Sequence, residues 1–353
     1  MSCYKNLIVF YFSGTGNAQK AAEWIVQIAD SMNITTNLVN ITDFEFNMLK
    51  DINSKTLIGF CSPTHGFNLP PIMLKFIYNF PNVKNADFFI LNTRAGMKLH
   101  KIFLPGISGI AQILPVIYWK LKGYKVVGMQ PMDLPSNWIS LHPGLKEKVV
   151  MSIFKRCEKK TKNFAKKILS GQKSCKALIS LPVDLIVSPV ALGYYFIGRF
   201  AIAKTFIASD LCNNCGLCIK NCPVNAIEQI NGRMYWTFKC ESCMKCMNNC
   251  PKRAIETVHG YTFFIWWLII SVLPSFVIGK IVDNELFNVS ENPFIIDIIY
   301  NSFITFIAIF NVYLSYKLLH FLLKYKFFNK IILYTSITKY KFWRRYKAPK
   351  IVI

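Results

Sequence analysis

The chain has 353 residues, enough for two or three folded units, and 53% of them are apolar, a share spread too unevenly for a polytopic membrane protein. Its formal net charge of +24 raises nucleic acid as a partner. The basic residues are dispersed over dissimilar segments, however, and no basic stripe alternates with aromatic residues, so we do not expect a nucleic-acid partner.

The first 135 residues alternate short apolar runs with amphipathic stretches. Residues 7–12 form a continuous apolar run, typical of a strand buried on both faces, and a helical pattern follows. Further strands are predicted at 35–40, 56–61, 86–91 and 125–129, and helices at 71–78, 107–121 and 145–169. This alternation predicts an α/β fold with a doubly wound parallel sheet. No export signal precedes the first strand, so we expect the chain to start in the cytosol.

A glycine-rich loop separates the first predicted strand from the first helix, and it consists of Ser13, Gly14, Thr15, Gly16 and Asn17. Free N–H groups and the helix dipole at this point favour an anion. The loop lacks the Gly-Lys-Ser/Thr ending of a Walker loop and the Gly-x-Gly-x-x-Gly pattern of dinucleotide sites. It therefore predicts a small phosphate bound without metal, such as that of FMN.

Two loops after the third and fourth strands are predicted to surround the flavin ring, because ligands bind at the carboxyl ends of strands beside the topological switch point. The candidate residues are Ser62, Pro63, Thr64 and Phe67 in one loop, and Thr93, Arg94, Ala95 and Gly96 in the other. We expect Phe67 to stack on the ring and the N–H groups of the second loop to meet its pyrimidine edge. The alternative, given equal weight, is that His65 and Phe67 only cap a loop.

A strongly apolar stretch, residues 177–198, precedes the cysteine-rich part of the chain. It contains two prolines and Asp184 and is followed by Arg199 and Lys204. A membrane span is one interpretation. Helices that pack between two domains are favoured, because a span would place the following cysteines across the membrane from the cytosol.

Eight of the twelve cysteines fall in two copies of one short unit, each ending in Cys-Pro. The first copy carries Cys212, Cys215, Cys218 and Cys222, and the second carries Cys240, Cys243, Cys246 and Cys250. Thiols clustered in this way indicate metal sites of a reducing compartment. Zinc sites use pairs of ligands with a longer spacer, so zinc is the weaker interpretation.

The spacing is that of two 4Fe–4S clusters, in which the cysteine before proline reaches the other cluster. The first cluster is therefore assigned Cys212, Cys215, Cys218 and Cys250, and the second Cys240, Cys243, Cys246 and Cys222. Two such clusters imply one-electron transfer. Basic residues around the repeats favour an acidic redox partner.

Two uncharged runs follow, residues 262–279 and 298–316, and each is long enough to cross a hydrocarbon layer of roughly 30 Å. Acidic residues lie between them, and only basic charges follow residue 316. The positive-inside rule then predicts a transmembrane hairpin with both ends on the cytoplasmic side. The alternative is a pair of buried or interfacial helices with the basic tail on anionic lipid.

These features divide the chain into five predicted segments. They are an FMN-binding domain at 1–170, apolar linker helices at 171–205, an α+β cluster domain at 206–260, a helical hairpin at 261–316 and a basic cytoplasmic tail at 317–353.

The loop from Ser13 to Asn17 resembles the phosphate loop of flavodoxins, and the two cysteine runs resemble those of bacterial 2(4Fe–4S) ferredoxins. Their order in one chain resembles clostridial-type flavodoxin–ferredoxin fusion proteins. The resemblance implies a five-stranded sheet of order 2-1-3-4-5, bound FMN, and electron exchange between flavin and clusters. The chain departs from these families in its basic charge and in having Arg94 and Gly96 where flavodoxins commonly carry an aromatic residue.

The resulting hypothesis is a membrane-attached protein that passes electrons between FMN and two clusters and meets redox protein partners. One alternative is an enzyme whose flavin reduces a small substrate such as a quinone. Another is a domain that has lost FMN and only docks a partner. No residue is predicted to act as a catalytic acid, base or nucleophile.

Overall fold

The predicted strands form one mainly parallel sheet. The structure, a computed structural model, describes residues 3–45, 55–83, 86–268 and 293–344. The strands are β1 (Asn6–Tyr11), β2 (Thr35–Asn40), β3 (Thr56–Pro63), β4 (Asp87–Leu99), β5 (Ile102–Leu104), β6 (Lys125–Pro135) and β7 (Ser174–Cys175). Their order is β2-β1-β3-β4-β6-β7, with β5 antiparallel on β4. The five long strands therefore have the predicted 2-1-3-4-5 order.

Helices cover both faces of this sheet, as the doubly wound pattern predicted. They are α1 (Asn17–Asp30), α2 (Pro71–Tyr78), α3 (Ile113–Leu121) and α4 (Glu147–Leu169). On one face, Trp24 and Ile25 of α1 pack with Phe164 of α4 in an apolar core. On the other face, Phe76 of α2 and Trp119 of α3 belong to a second core. Two buried layers fix the sheet, so the loops at its carboxyl edge have a rigid support.

A bent helical segment links the sheet to the cysteine repeats. It contains α5 (Leu181–Ile186), α6 (Ser188–Gly193), a π-turn (Tyr194–Gly198) and α7 (Arg199–Ala203). The buried Asp184 carboxylate accepts the backbone N–H groups of Ser108 at 2.9 Å and Gly109 at 2.8 Å. This segment is therefore fastened to the sheet domain.

The cysteine repeats form a small α+β unit. Its elements are β8 (Phe206–Ala208), α8 (Leu217–Lys220), β9 (Ile227–Ile230), β10 (Arg233–Trp236), α9 (Lys245–Asn249) and β11 (Ile255–Thr257). β8 pairs with β11 and β9 with β10, both antiparallel. Asn231 and Gly232, with φ of 52° and 75°, make the tight turn between β9 and β10.

The C-terminal part contains α10 (His259–Trp267), α11 (Pro293–Leu322) and α12 (Lys326–Tyr334). Residues 269–292, which include the end of the first predicted span and the acidic loop, lie outside the described residues, as do 345–353. Helix α11 continues beyond the second predicted span. Its end is buried on the cysteine unit, where the Tyr316 hydroxyl donates to the Phe206 carbonyl at 3.0 Å.

Across the described ranges, no single helix combines the length and apolar composition needed to cross a membrane. The helical stretches Lys176–Ile186 and Ser188–Ala203, bent by 77° relative to each other, reach that length and apolar composition only when taken together. The transmembrane hairpin and the bounds of the five segments stay predictions.

The end of the described chain joins the two domains. Trp343 accepts the Gly144 N–H at 2.7 Å and donates its indole N–H to the Ile139 carbonyl at 2.6 Å, both in the loop after β6. Arg344 beside it donates to the carbonyl of Ile255 and pairs with the buried carboxylate of Glu256 at 3.4 Å. Part of the predicted basic tail therefore packs between the sheet and the cysteine unit.

Candidate redox centres

The first cysteine set, Cys212, Cys215, Cys218 and Cys250, lines one cavity of the cysteine unit. Gly216, with φ of 71°, takes the left-handed conformation that starts α8 and carries Cys218 towards this cavity. The Ala254 N–H donates to the Cys250 sulfur at 3.3 Å. Cys215 is exposed, so this cavity lies at the protein surface.

The second cysteine set, Cys222, Cys240, Cys243 and Cys246, lines a neighbouring cavity, and Cys246 borders both. Cys240 is only 8% exposed. Backbone N–H groups again point at sulfur, from Ala226 to Cys222 at 3.2 Å and from Ser242 to Cys240 at 3.4 Å. Such bonds stabilise the negative charge of cluster sulfur.

The two sets cross, because each cavity takes one cysteine from the other repeat: Cys250 lies on the first cavity and Cys222 on the second. In the described ranges, no three His, Cys, Asp or Glu side chains converge as they do around a single metal ion. Each set instead surrounds a cavity. Burial raises the thiol pKa of Cys218 to about 11 and of Cys240 to about 12, so a bound cation is needed to hold them as thiolates. The donor sets fit two 4Fe–4S clusters.

The glycine-rich loop lies where the sequence placed it, between β1 and α1. The Ser13 hydroxyl accepts the Gly16 N–H at 3.0 Å, and the Thr15 hydroxyl accepts from the Asn137 amide at 2.5 Å. Among the described residues, no protein acceptor meets the backbone N–H groups of Gly14 and Thr15. Two donors at the start of a 14-residue helix therefore point to an anion site.

The loop after β3 also borders this space. Pro63, Thr64, His65 and Phe67 line the same cavity as the glycine-rich loop, which we call the loop cavity. Phe67 has a φ of 65°, a conformation that costs free energy for an aromatic residue and that its surroundings must maintain. Ser62 is fully buried behind the cavity and does not line it.

The second predicted ring loop is a strand. β4 continues to Leu99 and pairs with β6 as far as Gly96, opposite Pro135. Thr93, Arg94 and Ala95 line the loop cavity, whereas Gly96 and Gly16 do not. Backbone groups that the sequence analysis assigned to the flavin are therefore partly used in pairing with β6.

Arg94 is held by an acid that the sequence analysis did not connect with it. Its Nε donates to Asp133 at 2.7 Å, and the Arg94 side chain is only 7% exposed. Asp133 also accepts the Gly106 N–H at 3.0 Å. Asp133 also lies 3.7 Å from Lys160 Nζ, so one carboxylate compensates two cations. The ion pair with Asp133 explains how a buried arginine occupies this position.

Sequence reasoning missed the segment after β6. Ser136, Asn137, Trp138 and His142, together with Pro135 at the end of β6, line the loop cavity, which has a volume of about 250 Å³. The Trp138 ring stacks on that of His65, with centroids 6.2 Å apart and planes 16° apart. This segment follows the carboxyl end of the fifth long strand, where ligands of such sheets bind, so its position in the sequence could have indicated a cavity wall.

The loop cavity has a wall in common with the second cysteine set, since Cys243 and Met244 line it. A Cβ atom added to Gly14 would overlap the carbonyl oxygen of Cys243. The Trp138 indole donates to the Ser242 carbonyl at 3.0 Å. The two domains therefore meet where the predicted phosphate loop touches the second set.

A buried carboxylate adds a second tie at this contact. Glu241 accepts the N–H of Ile72, at the start of α2, at 3.2 Å, and burial raises its pKa to about 7. The contact is thus made by backbone and side-chain polar groups of both domains.

The loop cavity also fits a polar ring system. Its wall holds two buried polar atoms without a hydrogen-bond partner among the described residues, Nδ1 of His65 and Oδ1 of Asn137. Burial lowers the pKa of His65 to about 4, so its imidazole is neutral at pH 7. Buried polar atoms are normally paired, which indicates a ligand that hydrogen-bonds here. Together with the N–H groups of Gly14 and Thr15, they fit FMN.

Family models match the same two regions. A flavodoxin model matches residues 9–99, and a model described as a 4Fe-4S dicluster domain matches residues 211–255. The chain is therefore a fusion of a flavodoxin domain and a 4Fe–4S dicluster domain, as the motifs predicted. These domains imply FMN and two iron–sulfur clusters as cofactors and an electron-transfer role with redox partners.

No curated protein sequence matches the chain. Among solved structures, a flavodoxin from the domain Archaea is 19% identical and is matched over 46% of this chain and 98% of its own, with a TM-score of 0.32. The Megasphaera elsdenii flavodoxin in its two-electron reduced form is 14% identical over 45% and 98%, with a TM-score of 0.31. Flavodoxin 1 from Bacillus cereus is 14% identical over 46% and 97%, with a TM-score of 0.29. Likenesses this low carry no further argument.

Proposed function

We propose that the chain carries electrons between FMN and the two clusters in the order flavin, second cysteine set, first cysteine set. When bound, FMN exchanges one or two electrons and each cluster exchanges one. The observation that supports this order is the wall that Cys243 and Met244 form in the loop cavity. The first cysteine set, which includes the exposed Cys215, then lies at the outer end.

The chain's own residues fix this contact. Gly14 allows the glycine-rich loop to touch the backbone of Cys243, which a larger residue would prevent. Trp138 ties the loop after β6 to the Ser242 carbonyl, and Glu241 ties the second set to α2. Three separate polar or packing contacts thus hold the cavity and the second set in one position.

The test is an anaerobic preparation followed by rapid reduction. Iron and acid-labile sulfide are each expected at about eight atoms per chain, since each cluster holds four of each. FMN should be present, and after the clusters are reduced its bleaching should be first order, with a rate independent of protein concentration. A rate proportional to protein concentration would contradict direct transfer within the chain. Loss of FMN alone would favour the flavin-free docking domain.

A flavin-dependent oxidoreductase acting on a quinone is the second candidate. It is supported by the linker, where Tyr194 packs against Gly66 and Trp138 at the cavity wall. The same segment exposes Ile186 by 77% and Phe196 by 63%. An apolar approach to the cavity would suit an apolar substrate. Consumption of a short-chain quinone by the reduced protein, at a rate that saturates with quinone, would favour this candidate.

We further propose attachment to the cytoplasmic side of the cell membrane. The support is the two uncharged runs, the basic residues that follow them, and exposed aromatic side chains on α10, where Phe263 is 76% and Trp266 54% exposed. Cysteine labelling of intact cells should then reach residues 282–293 and leave position 346 unlabelled. Labelling at position 346 from outside would exclude this topology.

A further inference from the structure

The two cysteine sets differ in the charge that surrounds them. Residues 211–222 and 242–255, which form the wall of the first cavity and also carry three cysteines of the second set, contain four basic residues and no acidic residue. We call these four the basic collar: Lys220, Lys245, Lys252 and Arg253. Lys252 lines the first cavity alone, Lys245 lines both cavities, and Lys220 and Arg253 lie beside residues that line the first.

Among the described residues, the acids next in sequence to these loops offset the collar only in part, because Glu241 and Glu256 are buried and only Asp210 is exposed. Glu256 is buried and paired with Arg344 at 3.4 Å. The carboxylate of Asp210 accepts two bonds from the Asn329 amide, at 2.7 and 2.9 Å. Lys220, Lys252 and Arg253 are exposed, so their charges face solvent.

We infer that the basic collar is the docking surface for an acidic redox protein, which exchanges one electron with the first cluster. The inference rests on the proposed electron-transfer function and names its partner class. When the partner is the donor, it is oxidised by one electron, the first cluster is reduced by one, and no bond or proton is transferred.

The composition of this surface favours a transient protein contact over lipid. Exposed asparagines, Asn213, Asn214 and Asn249, lie among the charges, and Leu217 is 43% exposed near the centre. No aromatic side chain of the described residues lines the first cavity, and most of the large exposed ones lie on α10 to α12 and the linker. A small polar patch with one charge sign steers an oppositely charged partner and releases it quickly, as electron carriers require.

The experiment uses the full-length protein loaded with iron–sulfur clusters and FMN, and a reduced acidic 2(4Fe–4S) ferredoxin as the probe. Lys220→Glu, Lys252→Glu and Arg253→Glu are combined in one variant. The control combines Lys148→Glu, Lys155→Glu and Lys159→Glu, an equal change of charge on the exposed side of α4.

The collar variant should slow reduction by the ferredoxin about tenfold or more at low salt and weaken binding of the oxidised ferredoxin by a similar factor. When the two variants are compared at an ionic strength of about 0.1 M, the control variant should change both values less than about twofold, because exposed charges are then screened beyond a Debye length of about 10 Å. Added salt should slow reduction of the wild type by the ferredoxin and speed reduction by the methyl viologen radical cation.

Equal effects of the two variants would overturn the inference, as would binding of the collar to phosphatidylglycerol vesicles but not to the ferredoxin. These failures are distinct from failure of the proposed function. That failure would show as dithionite-reduced clusters that do not pass electrons to FMN, whatever the probe. Unchanged iron content in the collar variant excludes cluster loss as the cause of a slower reaction.

Discussion

The two cysteine repeats have the same cysteine spacing and the same Cys-Pro and Ala-Ile-Glu positions, and they differ in their surroundings. The first cysteine set opens at the surface within a basic collar. The second is enclosed by the flavodoxin domain at Gly14 and Trp138 and by a buried cation, Lys204, which is 5% exposed and lies over the Phe238 ring at 4.3 Å. Burial lowers the pKa of Lys204 to about 8, yet it still carries mostly positive charge at pH 7. A duplicated motif thus becomes two unequal electron sites through what packs against each copy.

The largest expected effect comes from replacing one cysteine, which should remove one of the two clusters. Cys222→Ser should remove the second cluster and leave the first, because Cys222 lies on the second cavity although it belongs to the first repeat. Iron should fall from about eight atoms per chain to about four. Electron transfer from an external donor to FMN should be lost, which rapid-mixing absorbance would show.

The matched variant is Cys250→Ser, which should remove the first cluster instead. Direct reduction of the second cluster by dithionite should still bleach FMN in this variant. If Cys222→Ser abolished the first cluster and kept the second, the crossed assignment would be wrong.

A methyl group at the domain contact should have the next largest effect. Gly14→Ala places a Cβ against the Cys243 carbonyl, which is backbone and cannot rotate away. We expect a loss of about 1–3 kcal/mol in the free energy of unfolding, as in other overpacked sites, and at least a tenfold loss of FMN affinity. Denaturant unfolding and flavin titration measure the two.

The control is Gly193→Ala in α6, where a Cβ meets nothing within 4 Å. It should be neutral or stabilise by up to about 1 kcal/mol. Equal losses of stability and of FMN affinity in the two variants would show that the close contact at Gly14 limits neither folding nor FMN binding.

Local sequence patterns identified most of the framework. The apolar run before Ser13 predicted the first strand, and the spacing before Pro223 and Pro251 predicted two crossed cysteine sets, which line separate cavities. Both patterns depend on residues close in sequence. Arg94 shows that such local patterns do not identify partners on other strands. Its partner Asp133 lies on another strand, so a residue read as a flavin contact is also half of a buried ion pair.

The contact between the two domains could not be predicted from the sequence either, because it joins residues that are far apart in the chain. Trp138 and Ser242 are far apart in the chain, and no periodicity relates them. The second predicted span ends at Tyr316, and its sequence did not reveal that Tyr316, and Leu319 beyond the span, are buried on the cysteine unit. Burial against protein and burial in lipid select similar side chains.

The stability of the protein should depend on pH through His65, which lines the loop cavity beside the second cysteine set. Its pKa in the folded protein, about 4, is lower than the ordinary value of 6.5. The unfolded chain therefore binds a proton first as the pH falls, and stability present above pH 6.5 is lost towards pH 4. His65 should contribute a slope of up to about 1.4 kcal/mol per pH unit, to which the contributions of other shifted groups such as His320 and Glu241 are added.

His65→Gln should reduce this slope between pH 6.5 and 5.5, measured by denaturant unfolding of the FMN-free protein. His100→Gln, at an exposed position, should leave it unchanged. A variant at position 65 with the wild-type slope would place the relevant proton on another group.

The smallest expected effect separates stability from electron transfer. Trp138→Phe and Trp343→Phe each remove one indole N–H bond to a backbone carbonyl, at 3.0 Å to Ser242 and at 2.6 Å to Ile139. Each should cost about 1 kcal/mol. Of the two tryptophans, only Trp138 joins the loop cavity to the second cysteine set. Trp138→Phe should therefore slow bleaching of FMN by several-fold in rapid-mixing experiments, and Trp343→Phe should not. Equal rates in the two variants would mean that Gly14 and Glu241 alone hold the two centres in position, and that the indole bond contributes to folding without contributing to the electron path.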